Sequence, residues 1–308
     1  MGRYFFRKLN TQTSDKDFNI MTRTAILELP DVLGIKCPST SGYSGRSKII
    51  ISKERQHKLS LNAPQRFFKL LNLIERTAAY AQGKGYGAAT IEQEVSILQS
   101  LLNTEPKLAI DIGGNIGNYT AELRKKNSTL EIHTFEPSTT NILKLNARFK
   151  DDKLVKLVQL ALSDKSGSTT LFSDKPGSSL ASLTQRKLDH FDISFDATET
   201  INTTRFEDYW KSELQSRQLD MVKIDIEGHE LTALKGFGDA LIATRVLQFE
   251  LGGCNIDTRT YLRDFWYYFT ERHFDLYLIT PFGAKRVLCY KESDECFSIA
   301  NFIAVNRR

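Results

Sequence analysis

Cysteine is scarce: Cys37, Cys254, Cys289 and Cys296 are the four in 308 residues. No two stand in CxxC spacing and their density is far below that of a disulfide scaffold, which argues against structural zinc and leaves reduced thiols. Long apolar runs are missing too. None approaches the roughly 18 residues that a membrane-crossing helix needs, and the apolar patch in the opening MGRYFFRKLN is too short for a secretory signal. Phe6 stands where a myristoylation motif after Gly2 would need Ser or Thr. A concentrated basic block is also lacking. The 42 Lys and Arg exceed the 37 Asp and Glu by five, but they are spread along the chain, and the densest segment, Arg46 to Lys58, carries Glu54 as well. Nucleic acid is therefore not the expected partner. These absences predict a soluble, cytoplasmic protein with no transmembrane segment.

Hydrophobic residues make up 41% of the chain, enough for a substantial core. Up to about residue 105 strands and helices do not alternate. The best periodic segment there, Pro64 to Ala81, sets Phe67, Leu70, Leu71 and Ile74 at helical spacing, a face that should pack on something. The glycine-rich GKGYG at 83 to 87 breaks it. A second helix is expected over Thr90 to Leu102, with Glu92 and Glu94 suiting its N-terminus. Residues 1–105 are thus read as a mainly helical extension, and 106–308 as a second domain.

From Lys107 short apolar runs alternate with helical patterns. LAID precedes a helix over Tyr119 to Lys126, and EIHTF one over Thr139 to Phe149. LVKLVQL follows; DMVKID then precedes a helix over Glu230 to Phe237, and RVLQFEL one over Thr258 to Arg272. This is the pattern of an α/β fold, a parallel sheet covered on both faces. FDLYLIT and FSIANFIAVN close the chain with no helix between them, which predicts a final antiparallel hairpin. Residues 163 to 204, rich in Ser, Thr and Asp, form a long excursion of the kind that lines sites.

LAIDIGGNIGNYT, Leu108 to Thr120, reads as strand, glycine turn and helix start. Such a turn exposes backbone N–H groups to a ligand without a Cβ in the way. Gly113, Gly114 and Gly117 do not give the GxGxxG spacing of a dinucleotide site. Asp111, two residues before the first glycine, would repel a pyrophosphate but attract an amino group, which favours S-adenosylmethionine over NAD. Glu136, at the end of the next strand, is placed to accept hydrogen bonds from ribose hydroxyls.

With these features the sequence resembles the FkbM family of S-adenosylmethionine-dependent methyltransferases over roughly Lys107 to Asn306. The matching pieces are DIGGNIGNYT, FEPSTTNILKLN, ALSDKSG, GSSL, KIDIEGHELTALKGF and FELGGCNIDTRTYLRDFWYYF. The resemblance implies the class I methyltransferase fold, Rossmann-like, with a seven-stranded sheet whose last strand is antiparallel. It implies transfer of a methyl group to oxygen on sugars and natural products. It assigns Asp111, Gly113, Asn115 and Gly117 to the amino-acid end of the cofactor, Glu136 to its ribose, and Ser163 and Asp164 of ALSD to the vicinity of adenine.

KIDIEGHE, Lys223 to Glu230, ends a strand where doubly wound sheets gather ligands. Three candidates follow for the chemistry: His229 as general base, Asp225 to position substrate or cofactor, and Glu227 to orient. Lys223 is expected to pair with a carboxylate, and Glu230 to serve only the helix terminus. Glu250, Asn255, Arg259 and Ser179 are candidate acceptor contacts, and the aromatic run from Tyr261 to Phe269 is read as helix packing. A divalent metal on Asp225 and Glu250 is the lesser alternative to a metal-free site. The expected acceptor is a hydroxyl of a glycan, glycolipid or small natural product. An N-methyltransferase or nucleic-acid methyltransferase on the same fold, a non-catalytic nucleotide-binding module, and a homo-oligomer stay open.

Overall fold

In a computed structural model the chain is described over residues 63–87 and 90–308. Expectations that concern Gly2, Cys37 and the basic segment at 46–58 lie outside the described residues. The first helix, α1 (Ala63–Ala81), forms where the spacing predicts it. Its Phe67, Leu70, Leu71 and Ile74 are exposed rather than packed. From Tyr80 onward the described residues belong to one compact unit, which begins ahead of the division expected at residue 105. Helix α2 (Ile91–Ser100) is part of it, and buries Val95 and Leu98 in the same cluster as Ala109 and Ile132.

Strands β1 (Leu108–Ile112), β2 (Glu131–Phe135) and β3 (Val155–Val158) are connected by α3 (Asn118–Lys126) and α4 (Thr139–Phe149). The excursion then builds a small sheet of its own from β4 (Ala161–Leu162), β5 (Gly167–Ser173) and β6 (Ala197–Thr204), in the order β4-β6-β5. After α5 (Phe206–Ser212) come β7 (Leu219–Ile224), α6 (Glu230–Lys235), β8 (Thr244–Leu251), α7 (Cys254–Thr258) and α8 (Leu262–Thr270). Strands β9 (Phe274–Thr280), β10 (Gly283–Val287) and β11 (Ala300–Asn306) complete the chain.

The main sheet runs β10-β9-β11-β8-β7-β1-β2-β3. Neighbours from β3 to β8 are parallel, and β11 enters antiparallel between β8 and β9. This is the expected class I methyltransferase arrangement with its antiparallel last strand. One strand exceeds the expected seven. The eighth, β10, pairs with β9 at the sheet edge, in the connection where no helix was expected. Its sequence GAKRV exposes Lys285 and Arg286, the charge with which edge strands resist further pairing. The helix expected over Thr258 to Arg272 is also shorter, reduced to α8, with α7 a separate helix ahead of it. Arg259 takes a left-handed φ of 55°, which ends α7 and lets α8 start afresh with Tyr261 and Asp264 as its capping box.

Two apolar layers flank the sheet. One joins Ile110, Val222, Leu247 and Phe302 to α5, α6 and α8, where Phe249 stacks on Phe265 and Phe269. The other joins Met221, Val246 and Ile303 to α2 and α3. The expected packing of the aromatic run is therefore observed for Phe265 and Phe269, whereas Tyr261 and Tyr267 are exposed.

Asp220 fastens the start of this sheet. Its buried carboxylate accepts the N–H groups of Lys107 and Leu108 at 2.8 and 3.1 Å, and Arg245 donates to the other oxygen at 2.9 Å. Asp220→Ala should therefore cost roughly 1–3 kcal/mol, because it strands two backbone donors and a guanidinium. Urea denaturation of the full chain measures this; an unchanged midpoint would contradict it.

Candidate active site

The strand register sets up the site. Ile112 is level with Phe135 on one side and Ile224 on the other, and Ile224 is level with Phe249. One residue further along the four strands stand Gly113, Glu136, Asp225 and Glu250. All four line a cavity of about 480 Å³ at the carboxyl ends of the parallel strands.

The glycine turn is clamped on both sides. Gly113 and Gly114 both donate to the carbonyl of Phe135 at 2.9 Å, and the Asp225 N–H donates to Ile112 at 3.0 Å. Gly113 has a φ of 87°, and a Cβ there would lie 1.9 Å from the Asp225 carbonyl oxygen. Only glycine fits between the two strand ends. Glu136 locks the far side of the turn: its carboxylate accepts the N–H of Asn115 at 2.8 Å and that of Ser138 at 2.9 Å. Burial pushes the Glu136 carboxyl up to about 7, against the opposing pull of those backbone donors.

At the end of β7, Lys223 is buried over the ring of Tyr119 and bonds Asp225 at 2.7 Å. Burial works to lower its pKa, but the charges of Asp225, Asp111 and Glu94 hold it above the usual lysine range. Lys223 thus pairs with a carboxylate as the sequence suggests. A buried chain of hydrogen bonds continues beneath it: Tyr119 donates to Gln248 at 2.9 Å, and Gln248 donates to Glu94 at 2.6 Å and to Asn301 at 3.0 Å.

Glu227 stands in a strained turn, with a φ of 53°. Arg186, whose side chain is 2% exposed, holds it at 2.9 Å and reaches Asp257 at 3.2 Å. Ser182 donates to the Glu227 carbonyl at 2.8 Å. The long excursion is thereby fastened over the loop that follows β7. Glu230 is more than a helix-terminal charge. One of its oxygens accepts the N–H groups of Ile226 and Gly228 and so ties that loop down, while burial raises its carboxyl to about 7.

The expected cofactor residues divide. Gly113, Asn115 and Glu136 line the cavity. Asp111 does not: it is fully buried behind the turn, where one oxygen accepts the Thr120 hydroxyl at 2.6 Å and the other has no partner. Burial raises its pKa, which Lys223 opposes. Gly117 is also off the wall, because a Cβ there would meet Leu145 and Phe149; it serves the packing of α3 on α4. Of ALSD, Ala161 and Leu162 line the cavity. Ser163 and Asp164 stand behind them, and the Ser163 hydroxyl lies 3.0 Å from Nε2 of His229. His229 itself lines the cavity, with its pKa lowered by burial and pulled back up by Asp164.

The expected acceptor residues divide as well. Glu250 and Ser179 line the cavity. Asn255 does not, since its buried side chain accepts the Gly252 N–H and donates to Thr260, bracing the turn after β8. Arg259 is exposed away from the lining and marks only the end of α7. Charged cavity residues that escaped the sequence reading include Lys144, Asp174, Lys175 and Arg186. Arg186 meets partners 41 and 71 residues away, so no local spacing could announce it. Among the described residues no group of three or more His, Cys, Asp or Glu is arranged to hold a metal ion.

A family model described as Methyltransferase FkbM domain matches residues 111–278, from the glycine turn to β9. The chain belongs to the FkbM methyltransferase family. Among curated proteins it is similar to 2-O-methyltransferase NoeI of Sinorhizobium fredii (strain NBRC 101917 / NGR234), with 22% identity over 190 residues, 59% of this chain and 77% of that one. Among solved structures it is similar to methyltransferase FkbM from Methylobacillus flagellatus KT, with 15% identity, 79% of this chain and 71% of that chain covered, and a TM-score of 0.41. The plantazolicin methyltransferase BpumL in complex with SAH is another, with 11% identity, 80% and 91% covered, and a TM-score of 0.40.

Two outcomes test this geometry. Gly113→Ala should abolish binding of S-adenosylhomocysteine in a titration while Gly85→Ala, at a turn whose Cβ position is open, leaves it unchanged; equal binding by both would contradict the clamp. Glu136 and Glu230 also make stability depend on pH. Each carboxyl titrates at about 7 when folded against 4.5 when free. The folded state therefore holds more protons between those values, and stability falls as pH rises through 7. Denaturant unfolding at pH 5 and pH 8 should show this fall, and Glu230→Gln should reduce it.

Proposed function

We propose that the chain is an S-adenosylmethionine-dependent O-methyltransferase whose acceptor is a hydroxyl of a sugar, as a free glycoside or within a glycan or glycolipid. The observation that carries the reading is the row formed by Gly113, Glu136, Asp225 and Glu250 at the strand ends, with backbone on one side and carboxylates on the other. The residues present fit the cofactor. The turn at Gly113 leaves a Cβ-free approach, and Glu136 lines the cavity with acceptor capacity left beside its backbone donors. Behind the turn, Asp111 supplies buried negative charge, with one oxygen unpartnered.

When bound, S-adenosylmethionine supplies an electrophilic methyl group on a sulfonium. Glu136 would hold the ribose, and Ala161 and Leu162 would give adenine an apolar wall. Asp225, fixed by Lys223, and Glu227, fixed by Arg186, face the acceptor side as rigid hydrogen-bond acceptors. Such preset carboxylates suit a polyol, whose hydroxyl donors they orient, and alignment of the attacking oxygen supplies much of the rate. NoeI, named for 2-O-methylation, supports oxygen as the target.

Isothermal titration should detect S-adenosylmethionine and S-adenosylhomocysteine, and labelled methyl should pass to at least one of a panel of methyl glycosides with vicinal hydroxyls. Absence of heat with either nucleoside would refute the cofactor. Transfer should persist after dialysis against EDTA; loss of activity that magnesium restores would return the metal reading.

A further inference from the structure

The carboxylates at and after the end of β7 are committed, whereas Asp174 on the excursion also lines the cavity with one buried oxygen unpartnered. Asp225 is held by Lys223, Glu227 by Arg186, and Glu230 by two backbone N–H groups. His229, which the sequence nominates as the base, has Nε2 engaged by Ser163 beside Asp164. Glu250 differs. It lines the cavity one step beyond Phe249, in line with Asp225, yet neither carboxyl oxygen has a hydrogen bond or ion pair within the described residues. Its backbone is fixed in register with Asn301, between two sheet neighbours. A rigidly mounted carboxyl, open only to the cavity, is what proton abstraction requires.

We propose that Glu250 is the general base that takes the proton from the acceptor hydroxyl. The proposal rests on the methyltransferase reading above. The acceptor O–H bond breaks, with the proton passing to the Glu250 carboxylate, and the oxygen forms a bond to the methyl carbon. The carbon–sulfur bond breaks with its electron pair left on sulfur, giving S-adenosylhomocysteine and a protonated Glu250.

The surroundings suit this role. The charged groups facing Glu250 are Lys223 of β7, Asp225 and Glu227 just after it, and Glu94 of α2. Burial, then Asp225 and Glu227, raise its pKa well above the usual glutamate range, and Lys223 opposes them. A stronger base than an ordinary carboxylate results. The sign follows: activity is lost as pH falls through the Glu250 pKa, so the acid limb of the rate profile lies above the ordinary glutamate value.

The test compares wild type, Glu250→Gln, Glu250→Asp and His229→Ala. Binding of S-adenosylhomocysteine by titration reports the cofactor pocket separately from turnover and should stay within about twofold of wild type in Glu250→Gln. Methyl transfer to the active glycoside should drop roughly 10²-fold or more in Glu250→Gln, with the acid limb gone. Glu250→Asp should recover part of the rate together with the limb. Carbon NMR of protein labelled at the glutamate carboxyls gives a readout independent of turnover: one resonance titrating above the ordinary range should vanish in Glu250→Gln. A Glu250→Gln enzyme with an intact acid limb and near-normal rate would overturn the proposal, as would a Glu250 resonance titrating in the ordinary range. Loss of the limb in His229→Ala alone would transfer the role to His229. Wild type that binds the nucleoside but methylates no glycoside would refute the acceptor class instead, and the NMR titration would still judge Glu250.

Discussion

The close approach of Gly113 to the end of β7 is the contact on which the site depends. With a φ of 87° and the Asp225 carbonyl only 1.9 Å from where a Cβ would stand, the turn after β1 presses against the strand end that bears the acidic loop. The Asp225 N–H bonds Ile112 and completes the junction. The glycine turn and the carboxylates that follow β7 therefore cannot move independently. Glu136 extends the same junction to β2, and the parallel register carries it to Glu250 on β8.

Buried charge stands around this junction on both sides of the sheet end. Below the cavity, Lys223 and Asp225 continue into Tyr119, Gln248, Glu94 and Thr90, so α2 is bonded into the floor of the site. Above it, Arg186 draws the excursion down onto Glu227 and Asp257. Pairing of this kind costs desolvation, and its value lies in fixed geometry more than in stability. Fixed carboxylates are what an alignment-driven transfer uses.

Much of the architecture was legible because apolar periodicity reports it directly. EIHTF, Thr139 to Phe149 and RVLQFEL form elements at or within a residue of their expected bounds. Strand β10 was not legible, since GAKRV is short and charged, as an edge strand is free to be. The helix expected from Thr258 begins only at Leu262, because Arg259 adopts a left-handed conformation for which its residue type gives no warning, and the short α7 ahead of it was not expected. Within the site, backbone-determined positions were the readable ones: Gly113 and Glu136 follow from a turn and a strand end. Asn255 reads as a polar rim residue but is consumed in bracing its own turn, and Asp111 reads as a ligand but lies one layer behind. Local sequence shows residue type and spacing; it does not show which polar groups the fold has already satisfied.

The most direct measurement is a crystal structure of the full chain with S-adenosylhomocysteine. Both ribose hydroxyls should lie within hydrogen-bond distance of Glu136, with the sulfur facing the gap between Asp225 and Glu250. A nucleoside seated elsewhere, leaving Glu136 without a ribose hydroxyl, would contradict the assignment of this cavity.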